Sequence, residues 1–240
     1  IVIDNATKVI EDHFLLSTAT LPKDETVAAA AQEIIDAVDA DYNTPFATTE
    51  TFLDGARENN RTRETNLGDL VADAMLWKVL KEGGLENIEP DHVVTSTNGG
   101  GIRANIDVGD VSMESINSVL PFGNTVTVIY ATGAEILEAL EASTFSTPEQ
   151  IGGFPQTSGI EWTVDCTKRF DKGDLYLQNG KDTSYYAPAS IQRVTITAIH
   201  GKPFDPSATY AVVTNNFIAA GGDTYNVFNR AFEAGTGFDT

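Results

Sequence analysis

Between residues 26 and 42 the apolar positions Val27, Ala31, Ile34, Ile35 and Val38 recur at helical spacing, and Asn43-Thr44-Pro45 supplies a stop. The pattern predicts a helix that packs one face and solvates the other. Residues 46–53 read as a strand. The polar stretch "DGARENNRTRETN" follows, ending in Asn66 as the N-cap of a second helix over 67–81. Leu67, Leu70, Val71, Ala74 and Trp77 form the apolar stripe of that helix, and Gly83-Gly84 ends it. Beyond it the pattern predicts a short strand at 93–96, a short helix at 112–119, an alternating strand at 125–131 and a helix at 134–142. Three further strands at 159–166, 191–200 and 210–215 are rich in β-branched or aromatic residues. Helices and strands are interspersed without strict βαβ alternation, which predicts an α/β fold with a largely antiparallel or mixed sheet. Residues 1–25 show no sustained period and read as a linker to one folded domain.

Charge narrows the possible partners. A net charge of −20 repels phosphate backbones and anionic lipid, which argues against a nucleic acid polymer or a membrane surface as partner. No apolar run is long enough for direct membrane insertion. A small anion needs a local concentration of cations, so the position of each arginine carries information. Cys166 is the only cysteine, which excludes an internal disulfide and fits a partly buried small side chain. His13, His92 and His200 lie far apart, each without a second ligand at metal spacing. His200 precedes Gly201-Lys202-Pro203, a hairpin turn in which a structural role is expected. Neither a Gly-x-Ser-x-Gly elbow nor a Walker loop is present. The sequence therefore predicts no catalytic residue and no metal ligand in this chain.

Binding chemistry is better represented. "NGGGIR" is either a tight turn or a place where Gly99, Gly100 and Gly101 let a ligand approach the backbone, beside the Asn98 amide and the planar fork of Arg103. Arg57, Arg61 and Arg63 precede a predicted helix N-terminus, itself suited to an anion. "LPFGN" sets Phe122 in an exposing turn, and "TNNFIAAGGDTY" sets Phe217 just ahead of Gly221, Gly222 and Asp223. Either phenylalanine alone reads first as a core side chain, but two loop aromatics near glycine turns suit a flat ring. An aspartate beside a glycine pair accepts from a sugar diol or stabilises a turn.

Taken together, "RTRETNLGDLVADAM", "NGGGIRANI", "VLPFGNTV" and "YAVVTNNFIAAGGDTY", in this order, resemble the C-terminal, substrate-binding domain of the 5′-nucleotidase family. The resemblance implies an α/β fold with mixed sheets sandwiched between helices. It implies base stacking by Phe122 and Phe217, base or ribose contacts from Asn98 and Asp223, and phosphate or ribose contacts from Arg57, Arg61 and Arg103. It makes residues 1–25 the tail and linker of a missing N-terminal metallophosphatase domain and residues 26–240 the nucleotide-binding domain. Two divalent metals would reside in that missing domain, so the isolated chain is expected to bind a nucleotide or nucleoside without hydrolysing it. The alternatives are a 2′,3′-cyclic-nucleotide phosphodiesterase/3′-nucleotidase, a UDP-sugar hydrolase, or a non-catalytic binding or adhesion module. Family habit implies an extracellular, cell-wall or periplasmic location. Animal members brace the loop ahead of "NLGDLV" with cysteines where this chain has Asn60 and Thr65, which predicts a looser loop here.

Overall fold

Neighbouring residues of the three central strands feed different cores. Val93, Val128, Ala211 and Val213 pack on one side with Leu76 and Val79. Val94, Ile129 and Val212 pack on the other with Ile136, Leu140, Tyr225 and Phe228. Side chains alternate across a strand, so a sheet covered on both faces needs near-continuous apolar runs, as "YAVV" supplies.

The computed structural model describes residues 2–3, 6–8, 10–12, 21–83, 85, 88–178, 181–233 and 238–239. Two compact units divide at residues 44 and 45. The first holds the strands β1 (Val2–Ile3) and β2 (Ile10–Asp12), which pair antiparallel, and the helix α1 (Glu25–Tyr42). The division thus falls after α1 and not at residue 25, and residues 1–25 include regular structure. Asp24 caps α1 by accepting from the N–H groups of Thr26 and Val27. Val27, Ile34, Ile35 and Val38 all remain exposed. The expected packing face is present, but periodicity reports which side is apolar and not whether it is covered.

The second unit runs β3 (Pro45–Thr49), α2 (Arg57–Asn60), α3 (Asn66–Glu82), β4 (Val93–Asn98), β5 (Gly109–Ser112), α4 (Met113–Val119), β6 (Val126–Thr132), α5 (Gly133–Ser143), β7 (Pro155–Ser158) and β8 (Ile160–Val164). It continues with β9 (Lys172–Gln178), β10 (Lys181–Pro188), β11 (Val194–Ile199), β12 (Lys202–Pro203), β13 (Thr209–Asn215), α6 (Asn216–Ala219), α7 (Asn226–Glu233) and β14 (Phe238–Asp239). The main sheet has the order β14-β6-β13-β4-β7, with β13 and β4 parallel and the other neighbours antiparallel. A second sheet, β12-β11-β8, adds Ile160, Val194, Ile196 and Ile199 to the core shared with α5 and α7. With α3 against one face of the main sheet, this is the mixed α/β sandwich that the sequence predicts.

Several local expectations change. The N-cap of α3 is Thr65, whose hydroxyl accepts from the Gly68 N–H at 3.0 Å. Asn66 instead ties the preceding loop down, accepting from the Asp54 N–H and donating to the Phe52 carbonyl. The buried face of α3 is Leu67, Gly68, Ala72, Leu76 and Val79, while Leu70, Ala74 and Trp77 face outward. Close approach sets part of that face: a Cβ on Gly68 would lie 2.0 Å from Gln156 Oε1, so a glycine sits there beside Leu67, Leu76 and Val79. Gly83 caps the helix with φ +71°, and Gly84 lies outside the described residues, as does His13. Cys166 is exposed rather than partly buried. His200 and Gly201 both adopt positive φ in the β11–β12 turn, and His200 Nε2 lies 2.7 Å from the Val93 carbonyl, a structural setting. No helix among the described residues is long and apolar enough to cross a membrane.

Candidate functional site

The topology gathers distant loops at one end of the main sheet. β4 and β13 are parallel and end at Asn98 and Asn215. β6 is antiparallel to β13 and begins beside its end, with Val126 opposite Asn215. β7 is antiparallel to β4, with Pro155 opposite Asn98. Segments 99–103, 120–125, 151–154 and 216–223 therefore meet there. A fifth piece arrives when the Ile151 N–H donates to the Arg61 carbonyl at 3.1 Å, which brings the arginine loop alongside.

Between these segments lies a cavity of about 360 Å³, lined by Arg61, Asn98, Gly100, Gly101, Phe122, Asn124, Gly152, Phe217 and Asp223. Its size is within the range of small-ligand sites. The floor is a closed hydrogen-bond chain. Asn98 Nδ2 donates to Asp223 Oδ2 at 3.0 Å, and Asn98 Oδ1 accepts from Asn215 Nδ2 at 3.1 Å. Asn215 Oδ1 in turn accepts from the Ile218 N–H at 2.9 Å, capping α6. Asp223 stands in the left-handed region at φ +52°, a conformation that aspartate tolerates better than most residues. Burial pushes its carboxyl up from the usual range, against the pull of the Asn98 hydrogen bond and of Arg61.

The rim differs. Phe122 is 60% exposed and Phe217 44%. Burial lowers the Arg61 pKa, as do the positive charges of Arg57 and Arg103, while Asp223 opposes the change. Arg61 Nε is buried without a hydrogen-bond partner. Among the described residues none of these three arginines forms an ion pair. Arg103 donates to the Gly100 carbonyl at 3.3 Å and holds its guanidinium carbon 5.6 Å from the Phe122 ring centre. In so acidic a chain, Arg57 and Arg103 both press their charge on Arg61, and Asp223 is the one carboxylate that offsets them there.

The glycines divide by role. A Cβ on Gly99 would lie 1.9 Å from the Asn60 carbonyl oxygen, and one on Gly100 2.8 Å from that of Gly152. These two admit backbone rather than ligand. Gly101 meets only Asn98 Oδ1, at 3.2 Å, and is open to the cavity. Gly221 supplies a turn at φ +80°, and Gly222 makes room for the Phe217 ring. The arginine loop is braced rather than loose: Thr65 Oγ1 donates to Asn60 Oδ1 at 2.6 Å, and Gln156 Nε2 donates to the carbonyls of Asn60 and Arg63. A buried polar clasp occupies the two positions singled out for the absence of cysteine.

Of the residues predicted from sequence, Arg61, Asn98, Gly100, Gly101, Phe122, Phe217 and Asp223 share this cavity. Arg103 reaches it through the Phe122 ring, and Arg57 acts on Arg61 through charge alone. Gly99, Gly221 and Gly222 shape the loops. Asn124 and Gly152 line the cavity unpredicted. Tyr185 on β10 also feels the site, since burial and the charge of Asp223 both raise its hydroxyl pKa. Asn124 closes the "LPFGN" turn and Gly152 belongs to the pair Gly152-Gly153, the two local signals for these residues. The two metals implied for the family find no fit here: the described residues contain no cluster of three or more His, Cys, Asp or Glu able to hold one.

Comparison with known proteins identifies the family. Residues 45–230 match the family model described as "5′-nucleotidase, C-terminal domain". The Trifunctional nucleotide phosphoesterase protein YfkN of Bacillus subtilis is 40% identical over 185 residues, 76% of this chain and 11% of that protein. Human 5′-nucleotidase is 28% identical over 233 residues, 93% of this chain and 38% of that protein. The crystal structure of the 5′-nucleotidase precursor from Thermus thermophilus superposes with a TM-score of 0.66 at 34% identity, covering 90% of this chain and 36% of that one. The chain thus spans well under half the length of these relatives.

Proposed function

Because the chain belongs to the family of 5′-nucleotidase C-terminal domains, we propose that it is the substrate-binding domain of a nucleotide-hydrolysing enzyme, holding the nucleoside so that a separate metal-bearing domain cleaves the phosphate ester. One observation carries this reading: two exposed aromatic rings, a half-buried aspartate and an arginine whose Nε lacks a hydrogen-bond partner line a single cavity of about 360 Å³. In the proposed complex Phe122 and Phe217 stack on the base, a contact that tolerates many bases because each has a π-face. Asp223, fixed by Asn98, accepts from the ribose hydroxyls. Arg61, with Arg103 and Arg57 nearby, faces the phosphate. Asn98 has both amide ends engaged within the protein, so it serves as the positioning residue, and the exposed Asn124 amide is left to meet the base edge.

In this reading the parent enzyme draws its metal chemistry from residues outside this chain, and these residues contribute binding and orientation, worth on the order of several kcal/mol of barrier. The parent is read as an exported protein, in keeping with relatives such as the snake venom 5′-nucleotidases. A titration with adenosine and AMP followed by amide chemical shifts tests the proposal. Saturable shifts at Gly101, Phe122 and Asp223 are expected, and a well-folded chain that shows none with either ligand would refute it.

A further inference from the structure

A second cavity of about 320 Å³ adjoins the first, and Asn98, Gly101, Phe122 and Asn124 line both. Its walls are otherwise mainly apolar: Val71, Ala74 and Met75 come from α3, and Ile102, Leu120 and Val126 from the loops and β6. Of the polar side chains on its wall, Lys78, Thr97, Asn98 and Asn215 already have partners, which leaves the Asn124 amide and the Thr125 hydroxyl. Asn98 spends both amide ends on Asp223 and Asn215, and the one cation, Lys78, is paired with Glu82. An anion therefore finds no free charge in this cavity, and a polar ligand finds few partners. The partition between the cavities is also soft, because Phe122 is 60% exposed on a turn whose Gly123 has φ +62° with nothing within 4 Å of a Cβ placed there.

From this arrangement we infer that the space behind Phe122 is a subsite for an apolar substituent on the nucleobase, so that the protein accepts base-alkylated nucleotides in preference to unmodified ones. The inference rests on the nucleotide-binding reading above. The outward turn of Ala74 and the partial exposure of Val71 and Met75 acquire a purpose in it: α3 presents apolar side chains beside the sheet edge where a base extension would emerge. An apolar group of a few carbons gains affinity there by leaving water, with no polar contact required.

The test uses the 240-residue chain, AMP, and AMP carrying an isopentyl group on the exocyclic amine or on C2. The expected result is that one regioisomer binds at least about tenfold more tightly than AMP, and that Ala74→Phe, which fills the cavity from an exposed helix position, abolishes this preference while leaving AMP affinity unchanged. A thermal melt of the variant confirms that it is folded. If AMP binds and neither derivative binds better, the subsite is refuted and the nucleotide reading stands. A preference that survives Ala74→Phe also refutes it, because the alkyl group then sits elsewhere. If neither AMP nor its derivatives bind, the nucleotide reading fails and the subsite with it.

Discussion

The floor and the rim of the first cavity are built on opposite principles. Thr97, Asn98 and Asn215 are at most 7% exposed; Asn215 donates to both Asn98 and Thr97, and Asn98 donates to Asp223. Phe122, Phe217 and Arg61 leave rings open to water and a guanidinium nitrogen without a partner. Buried polar groups must find partners within the protein, so the floor is finished before any ligand arrives. The rim holds its unmet contacts in reserve. Damage to the floor should therefore cost both stability and binding, whereas damage to the rim should cost binding alone.

The largest effect is expected at the rim. Phe122→Ala combined with Phe217→Ala removes two stacking faces and should weaken adenosine by roughly a hundredfold, with little change in melting temperature. A large loss of stability would show that the rings belong to the core and would erase the distinction. Next comes the floor. Asn98→Ala strands Asp223 Oδ2, leaves Asn215 Nδ2 only its bond to Thr97, and should lower unfolding free energy by about 1–3 kcal/mol in denaturant titrations while also impairing binding. Loss of binding at unchanged stability would mean that the floor is not pre-built.

Arg61→Ala should be milder and more selective. It should weaken AMP by about tenfold, leave adenosine nearly unchanged and shrink with added salt, without loss of melting temperature because a mutual repulsion is relieved. Equal weakening of AMP and adenosine would move the arginine away from the phosphate. The smallest effect lies outside both regions. Asp69, on α3, has its pKa raised to about 6, first by burial and then by the neighbouring charges of Glu64 and Asp73. A carboxyl raised in the folded state favours folding below the ordinary aspartate range, and that contribution is lost as pH rises through about 6. Asp69→Asn should therefore raise the melting temperature modestly near pH 7, lose the advantage by about pH 4, and leave nucleotide affinity unaltered. A variant no more stable than the parent at neutral pH would contradict that sign.

The contrast between floor and rim also separates what the sequence made legible from what it did not. Rim residues announce themselves locally, since Phe122 and Asp223 stand beside glycines and Phe217 stands just after the end of a strand, ahead of a glycine pair. The floor is a property of register: that Asn98 and Asn215 touch depends on β13 lying parallel to β4, which no local pattern encodes. On α3 the packed side mixes Leu67, Leu76 and Val79 with Gly68, which the close contact with Gln156 demands, and Leu70 and Trp77 are left outside. The β9–β10 hairpin escaped because "LYL" lies among charged residues without alternation.

The central place of β13 has a consequence in the order of folding. Every strand pair that defines the floor involves β13 or β4, and β13 follows β4 by more than a hundred residues of chain. Contacts so distant in sequence are costly to close and form late. A chain still emerging from the ribosome can thus complete α3, α5 and the β8–β11 pairing while the binding site does not yet exist, and ligand can reward only the finished molecule. Truncation before residue 209 should accordingly erase nucleotide binding entirely rather than halve it.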